Sequence, residues 1–220
     1  MHRFSRRQFV AAGVALTAGS AGCLSGGGES TPSGELGTIA DSTTPTGDGT
    51  LPTPVAGDPE ADVTVAAYED YACPHCATYS LEVFPKLASD YLESGQVRYE
   101  FHDYPIPVDQ TVSYQAANAA RAVQANAGSQ AFFEYTEALF ANQRSLGPDT
   151  YASLADEFSV DGGTVREAAT NERYSQTITE DRQSGDDRGV DSTPTVFVDG
   201  TSVQPDYESL QTAIEDALGQ

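Results

Sequence analysis

Cys73-Pro74-His75-Cys76 follows a β-branched run, Val63-Thr64-Val65-Ala66-Ala67-Tyr68, and opens a segment with helical patterning. Two cysteines separated by two residues at a helix start form a dithiol that can close to a disulfide and reopen. The first turn of a helix presents unpaired N–H groups and the positive end of the helix dipole, and both favour a thiolate. Far downstream, Ser192-Thr193-Pro194-Thr195-Val196-Phe197-Val198-Asp199-Gly200 places a candidate cis-proline just before a hairpin strand.

This pair of motifs resembles the thioredoxin superfamily. The Pro-His dipeptide between the cysteines resembles its DsbA-like branch of thiol–disulfide oxidoreductases. The resemblance covers about residues 56 to 220. It implies a redox-active Cys73–Cys76 disulfide and no other cofactor. Cys73 is then the exposed, attacked sulfur and Cys76 its more buried partner, with His75 adding a hydrogen bond or positive charge to the Cys73 thiolate. It also implies that Pro194 is cis and faces the dithiol, with the Thr193 backbone groups free to pair with an extended substrate peptide. Many relatives carry a buried acid six positions before the first cysteine, which here is Ala67. Glu69 and Asp70 stand at other offsets. Glu69 is expected on the opposite strand face from Ala67, and both acids read as a solvated loop edge outside the catalytic set. Asp70-Tyr71 resembles the family's acid–aromatic pair before the dithiol.

The chain has three cysteines, Cys23, Cys73 and Cys76, so it is not a scaffold stapled by disulfides. A structural zinc usually takes four ligands, commonly a second CxxC or a histidine pair. The sequence offers neither, since His2 lies at the N-terminus and His102 stands alone. A metal-binding CxxC lipoprotein is therefore the remote reading, and no metal site is expected.

Acids outnumber bases 33 to 11, the net charge is −22, and Lys86 is the only lysine. The acids are spread along the chain rather than gathered in a tail. This pattern excludes nucleic acid and anionic lipid headgroups as partners, because both need clustered Lys or Arg. High acid with almost no lysine resembles the surfaces of proteins from salt-loving archaea, where salt screens self-repulsion.

Ser5-Arg6-Arg7-Gln8-Phe9-Val10 resembles the twin-arginine export signal, and the short apolar run after it is too weak for a permanent membrane span. Ser20-Ala21-Gly22-Cys23 resembles a lipobox, with Cys23 as the lipidated first residue after cleavage. The expected organisation is a signal peptide over 1–22 and an anchor with a flexible Gly/Ser/Thr/Pro linker over 23–56. A folded domain follows over 57–220. A linker of about 30 residues would reach on the order of 30 Å. The expected location is the outer face of the cytoplasmic membrane, lipid-anchored.

The expected fold is α/β, a thioredoxin-like sheet split by an all-helical insertion over about 109–188. Ala61–Tyr68 and Val97–Phe101 read as strands joined by a helix, a right-handed parallel unit. Pro85 should kink that helix. Gln110–Asn126 reads as helix, Ser129 as a cap for the next one, and the Asp161-Gly162-Gly163 run as a break before a single last helix. Asp199-Gly200 is a two-residue hairpin turn.

The function these residues support is dithiol oxidation of exported proteins, with a membrane redox partner for recycling. The alternative is disulfide reduction or isomerisation in extracytoplasmic protein or cytochrome maturation.

Overall fold

The computed structural model describes residues 50–219 except residue 107. The segment resembling an export signal, Cys23 and most of the expected linker lie outside the described residues.

Five strands form one sheet: β1 (Val55–Gly57), β2 (Val63–Glu69), β3 (Val97–Asp103), β4 (Thr195–Val198) and β5 (Thr201–Val203), in the order β1-β3-β2-β4-β5. β2 and β3 are parallel, in register from Val63 opposite Val97 to Glu69 opposite Asp103. The other pairings are antiparallel. Parallel neighbours need a helical crossover, and the segment after the dithiol supplies it. It runs as α1 (Pro74–Thr78), a π turn (Tyr79–Val83), α2 (Phe84–Leu87) and a second π turn (Ala88–Leu92). Pro85, which has no N–H to donate, sits in the first turn of α2, so the π turn before it absorbs the missing hydrogen bond.

Between β3 and β4 lie four helices, α3 (Gln110–Ala141), α4 (Pro148–Glu157), α5 (Gly162–Thr170) and α6 (Ser175–Asp187). This is the thioredoxin-like sheet with a helical insertion. α7 (Tyr207–Ala217) closes the chain, with Asp206 accepting the Ser209 N–H and Leu210 and Ile214 buried. At the β4–β5 turn, Asp199 and Gly200 both take positive φ, 46° and 78°, as a type I′ hairpin requires.

Three details differ from expectation. The domain begins before residue 57. Leu51, Val55 and Ala56 are buried, β1 pairs with β3, and the Leu51 N–H donates to the Thr177 hydroxyl. Leu51 and Val55 carry enough apolar surface to dock the end of a segment whose composition otherwise reads as linker. Ser129 does not cap a helix. As expected, two helical segments meet there: α3 is broken at Gly128 (φ 85°, ψ −178°), but the Ser129 hydroxyl just after the break is buried without a partner. The single last helix is two: Asp161 caps α5 through the Thr164 N–H, and α6 starts afresh at Ser175.

The insertion is tied to the sheet by ions. Arg121 of α3 is fully buried. Its Nε meets Asp103 Oδ2 at 2.7 Å, its Nη2 meets Asp181 Oδ2 at 2.5 Å, and its Nη1 donates to Gln124 Oε1 at 2.9 Å. Asp181 also meets His102 Nδ1 at 3.1 Å and accepts the Asp103 N–H at 3.1 Å. His102 is thus a packed histidine, stacked on Tyr68.

Candidate active site

Tyr71 and Ala72 form the turn after β2, closed by the Cys73 N–H donating to the Asp70 carbonyl at 3.0 Å, and Cys73 is the N-cap residue of α1, with extended backbone (φ −82°, ψ 119°). This turn is held from below by Asp70, a buried residue. Its Oδ1 accepts the Ala72 N–H at 2.8 Å, while its Oδ2 accepts the Ile106 N–H at 2.8 Å and the Ser113 hydroxyl at 3.0 Å. From the insertion, Gln143 Nε2 donates to the carbonyls of Tyr71 and Cys73, both at 2.9 Å, and the Tyr71 hydroxyl meets that of Thr136 at 3.0 Å. The helical insertion and the sheet therefore grip the dithiol turn from two sides, which fixes the sulfurs before any substrate arrives.

Both cysteines are free thiols with little exposure, 4% for Cys73 and 0% for Cys76. The Thr193–Pro194 bond is cis, and it brings the Thr193 carbonyl to Cys73, whose thiol donates to it at 3.3 Å. The expected substrate-facing carbonyl is thus turned toward the sulfur. Cys76 Sγ accepts the Asp70 N–H at 3.4 Å.

The two thiols differ in acidity. Cys73 is lowered to about 5, chiefly by the Cys76 thiol, which donates to it. Burial opposes this, and Thr193 and the backbone N–H groups of Cys76 and His75 assist. The exposed His75 supplies the expected hydrogen bond through its backbone N–H. Burial pushes Cys76 well above the usual thiol range, and Cys73 and Glu69 raise it further. One sulfur is poised as an anion and the other is held as a proton carrier.

The Thr193 hydroxyl is buried and has no hydrogen-bond partner beside the neutral thiol. Ionising Cys73 gives that orphan donor an acceptor. Thr193→Val, which keeps the shape, is expected to raise the Cys73 pKa by about one unit, the worth of one such hydrogen bond. Thiolate ultraviolet absorbance against pH reads the change, and an unmoved curve removes the hydroxyl from the site.

Glu69 and Asp70 are not a solvated edge: each is 1% exposed. Residues two apart on a strand share a face. Glu69 therefore lies on the Ala67 face of β2, contrary to the expectation from sequence. Its Oε2 accepts the Ser80 hydroxyl at 2.6 Å, and its Oε1 accepts from Tyr99 at 3.4 Å. Burial raises its carboxyl to about 8, with the Cys73 charge adding to the rise. A cavity of about 20 Å³, lined by Glu69, Ser80, Tyr99 and Thr136, reaches the exposed Glu137. That volume holds about one water.

On the other side of the dithiol, a groove of about 550 Å³ runs between His75 and Thr78 of α1, the Ser192–Thr195 loop and the end of β5. Among the described residues, no group of three or more His, Cys, Asp or Glu is arranged to hold a metal ion.

A family model described as Thioredoxin matches residues 50–216. The chain belongs to the thioredoxin family. It is 27% identical over 173 residues to the disulfide bond formation protein D of Bacillus subtilis, spanning 75% of this chain and 77% of that one. The oxidised BdbD structure from Bacillus subtilis superposes with a TM-score of 0.71 at 26% identity, over 83% of this chain and 100% of the other. Chlamydia trachomatis DsbA shares the fold at a TM-score of 0.68 and 19% identity, over 75% and 89%. With these relatives, the chain is a DsbA-like thiol–disulfide oxidoreductase.

Proposed function

We propose that this thioredoxin-family protein oxidises thiols of exported polypeptides from a lipid anchor at Cys23, on the outer face of the cytoplasmic membrane. The observation that carries the oxidative direction is the split acidity of the pair. Cys73 is lowered to about 5 while Cys76 is raised, so the reduced form is stabilised as thiolate plus thiol. A stable reduced form makes the disulfide a strong oxidant.

A substrate thiolate attacks Cys73 Sγ of the Cys73–Cys76 disulfide, the S–S bond breaks, and Cys76 leaves as a thiolate. Cys76 takes the proton of the buried Glu69 carboxyl, which is neutral below about 8. A second substrate thiolate attacks the substrate sulfur of the mixed disulfide and expels Cys73 as a thiolate. Two substrate thiols lose two electrons to the enzyme and form a disulfide. One substrate proton passes to solvent, and the other balances the proton returned to Glu69.

Cys73 ionisation also sets the pH dependence. Its pKa is below that of an unfolded cysteine, so the reduced form gains stability relative to the disulfide form as pH rises above about 5. That gain is lost as pH falls through the same value. The oxidising power should therefore weaken toward acid.

The twin-arginine sequence supports export, and Cys23 after Ser20-Ala21-Gly22 supports lipidation. The acid-rich composition supports a saline setting. Recycling requires a membrane oxidant that accepts the two electrons. Equilibration with glutathione in molar salt tests the direction: a potential well above that of thioredoxin is expected. A thioredoxin-like or lower value reverses the assignment to a disulfide reductase.

A further inference from the structure

Arg188 follows α6 and lines the groove beside the dithiol, together with His75, Thr193 and Phe197. Its guanidinium lies over two buried rings, 6.0 Å from the centre of Tyr68 and 5.9 Å from that of Phe197. This seat fixes the charge at the groove while leaving the residue exposed. The one carboxylate lining the groove, Asp191, accepts the Ser192 hydroxyl at 3.0 Å. On the far side of Pro74, a second concavity of about 630 Å³ carries Arg144, next to the Gln143 that holds the Cys73 carbonyl. Among the described residues Arg98, Arg121 and Arg166 are paired with carboxylates, whereas Arg144, Arg173, Arg182 and Arg188 are in no ion pair, and of these four only Arg144 and Arg188 line the two concavities beside the dithiol.

A chain with 33 acids and 11 bases has carboxylates in abundance to pair with an arginine. Two arginines left unpaired on the two flanks of the reactive turn are therefore arranged for a ligand rather than for the fold. Guanidinium groups suit carboxylates through their planar donor fork. Without such local cations, the net charge of −22 would repel an acidic substrate.

We infer that Arg188 and Arg144 form a binding subsite for carboxylate side chains flanking the reacting cysteine, so that the enzyme selects acidic polypeptides. This rests on the dithiol-oxidase reading above. Arg188 and Arg144 are specificity residues and take no part in electron transfer.

The test uses the oxidised protein in about 1 M salt, where charges beyond about 3 Å are largely screened. Three reduced peptides carry one cysteine flanked by Glu, Gln or Lys. Each rate of mixed-disulfide formation is normalised to the same peptide's rate with oxidised glutathione, which removes differences in thiol acidity. The Arg144→Glu/Arg188→Glu double variant is expected to lower the Glu-to-Lys rate ratio about tenfold, the sum of two exposed charge reversals. The Gln-peptide rate should stay within about twofold. The Arg166→Glu/Arg173→Glu double variant, which changes the net charge equally but lines neither concavity, should leave the ratio unmoved. An unchanged ratio in the Arg144→Glu/Arg188→Glu variant, or an equal fall in the Arg166→Glu/Arg173→Glu variant, overturns the subsite while leaving the oxidase intact. If the unsubstituted protein fails to react with the Gln peptide, the oxidase reading falls first and takes the subsite with it.

Discussion

Arg121→Met should cost about 3–5 kcal/mol of unfolding free energy, the range seen when one partner of a buried ion pair is removed. The reason is local. Asp103 and Asp181, 1% and 8% exposed, would be left without their cation inside the protein. Burial already raises Asp103 despite Arg121. Burial acts on Asp181 as well, but there Arg121 and His102 outweigh it and hold the carboxyl low. Urea denaturation of the variant should show the largest deficit near neutral pH and a smaller one in acid, where the stranded carboxylates protonate. Added salt should not restore the loss, because screening does not reach a dry site. The exposed Arg166–Asp149 pair, 48% and 99% exposed, is the contrast: Arg166→Ala should change stability by under about 0.5 kcal/mol. A salt-rescued Arg121→Met protein would mean that the site is wet.

The network has a consequence for the active site. Arg121 sits on α3, Asp103 on β3 and Asp181 on α6, so one guanidinium joins both ends of the insertion to the sheet. Further along α3, Thr136 meets Tyr71, and Gln143 just beyond it holds the Cys73 carbonyl. The ion network and the contacts to the dithiol turn thus lie on successive halves of α3, on either side of the break at Gly128.

None of that network was legible in the sequence. Its members are 18, 60 and 79 residues apart, and no local pattern joins an arginine to carboxylates at such distances. The opposite holds for Cys73, Cys76, Pro194 and the Asp199-Gly200 turn, whose chemistry is carried by adjacent residue types. The parallel β2–β3 pair was likewise readable, because Val63–Val65 and Val97–Phe101 announce strands by composition and alternation. Glu69 was misread for two reasons. A carboxylate at a strand end is usually solvated, and its face was assigned against the two-residue period of the strand. Counting from Ala67 by two would have placed Glu69 on the buried side. The two-helix form of the segment after Asp161 was hidden because its apolar residues continue across the break at Asn171–Tyr174.

Glu69→Gln should slow mixed-disulfide formation by at least about tenfold below pH 8, at the low end of what a positioned acid contributes. Gln can accept the Ser80 hydroxyl as Glu69 does, so the packing is kept while the proton is lost. With the carboxyl raised to about 8, the native rate corrected for substrate thiolate should fall as pH rises through that value, and the variant should show no such inflection. A structural role alone would not move the profile. Stability should shift the other way. Burial raises the folded-state pKa above the unfolded value of 4.5, so the native protein loses stability as pH rises between 4.5 and about 8. Gln does not titrate, so the melting temperature of the variant should gain on the native protein steadily across that window. The slope is about 1.4 kcal/mol per pH unit, and it is best measured in the disulfide form, where Cys73 cannot ionise and, without its charge, the upper end of the window moves down. Parallel melting curves across the window would show Glu69 to be solvated and would remove it from the proton path. A variant that is both more stable and slower would locate the cost of catalysis in one buried carboxyl.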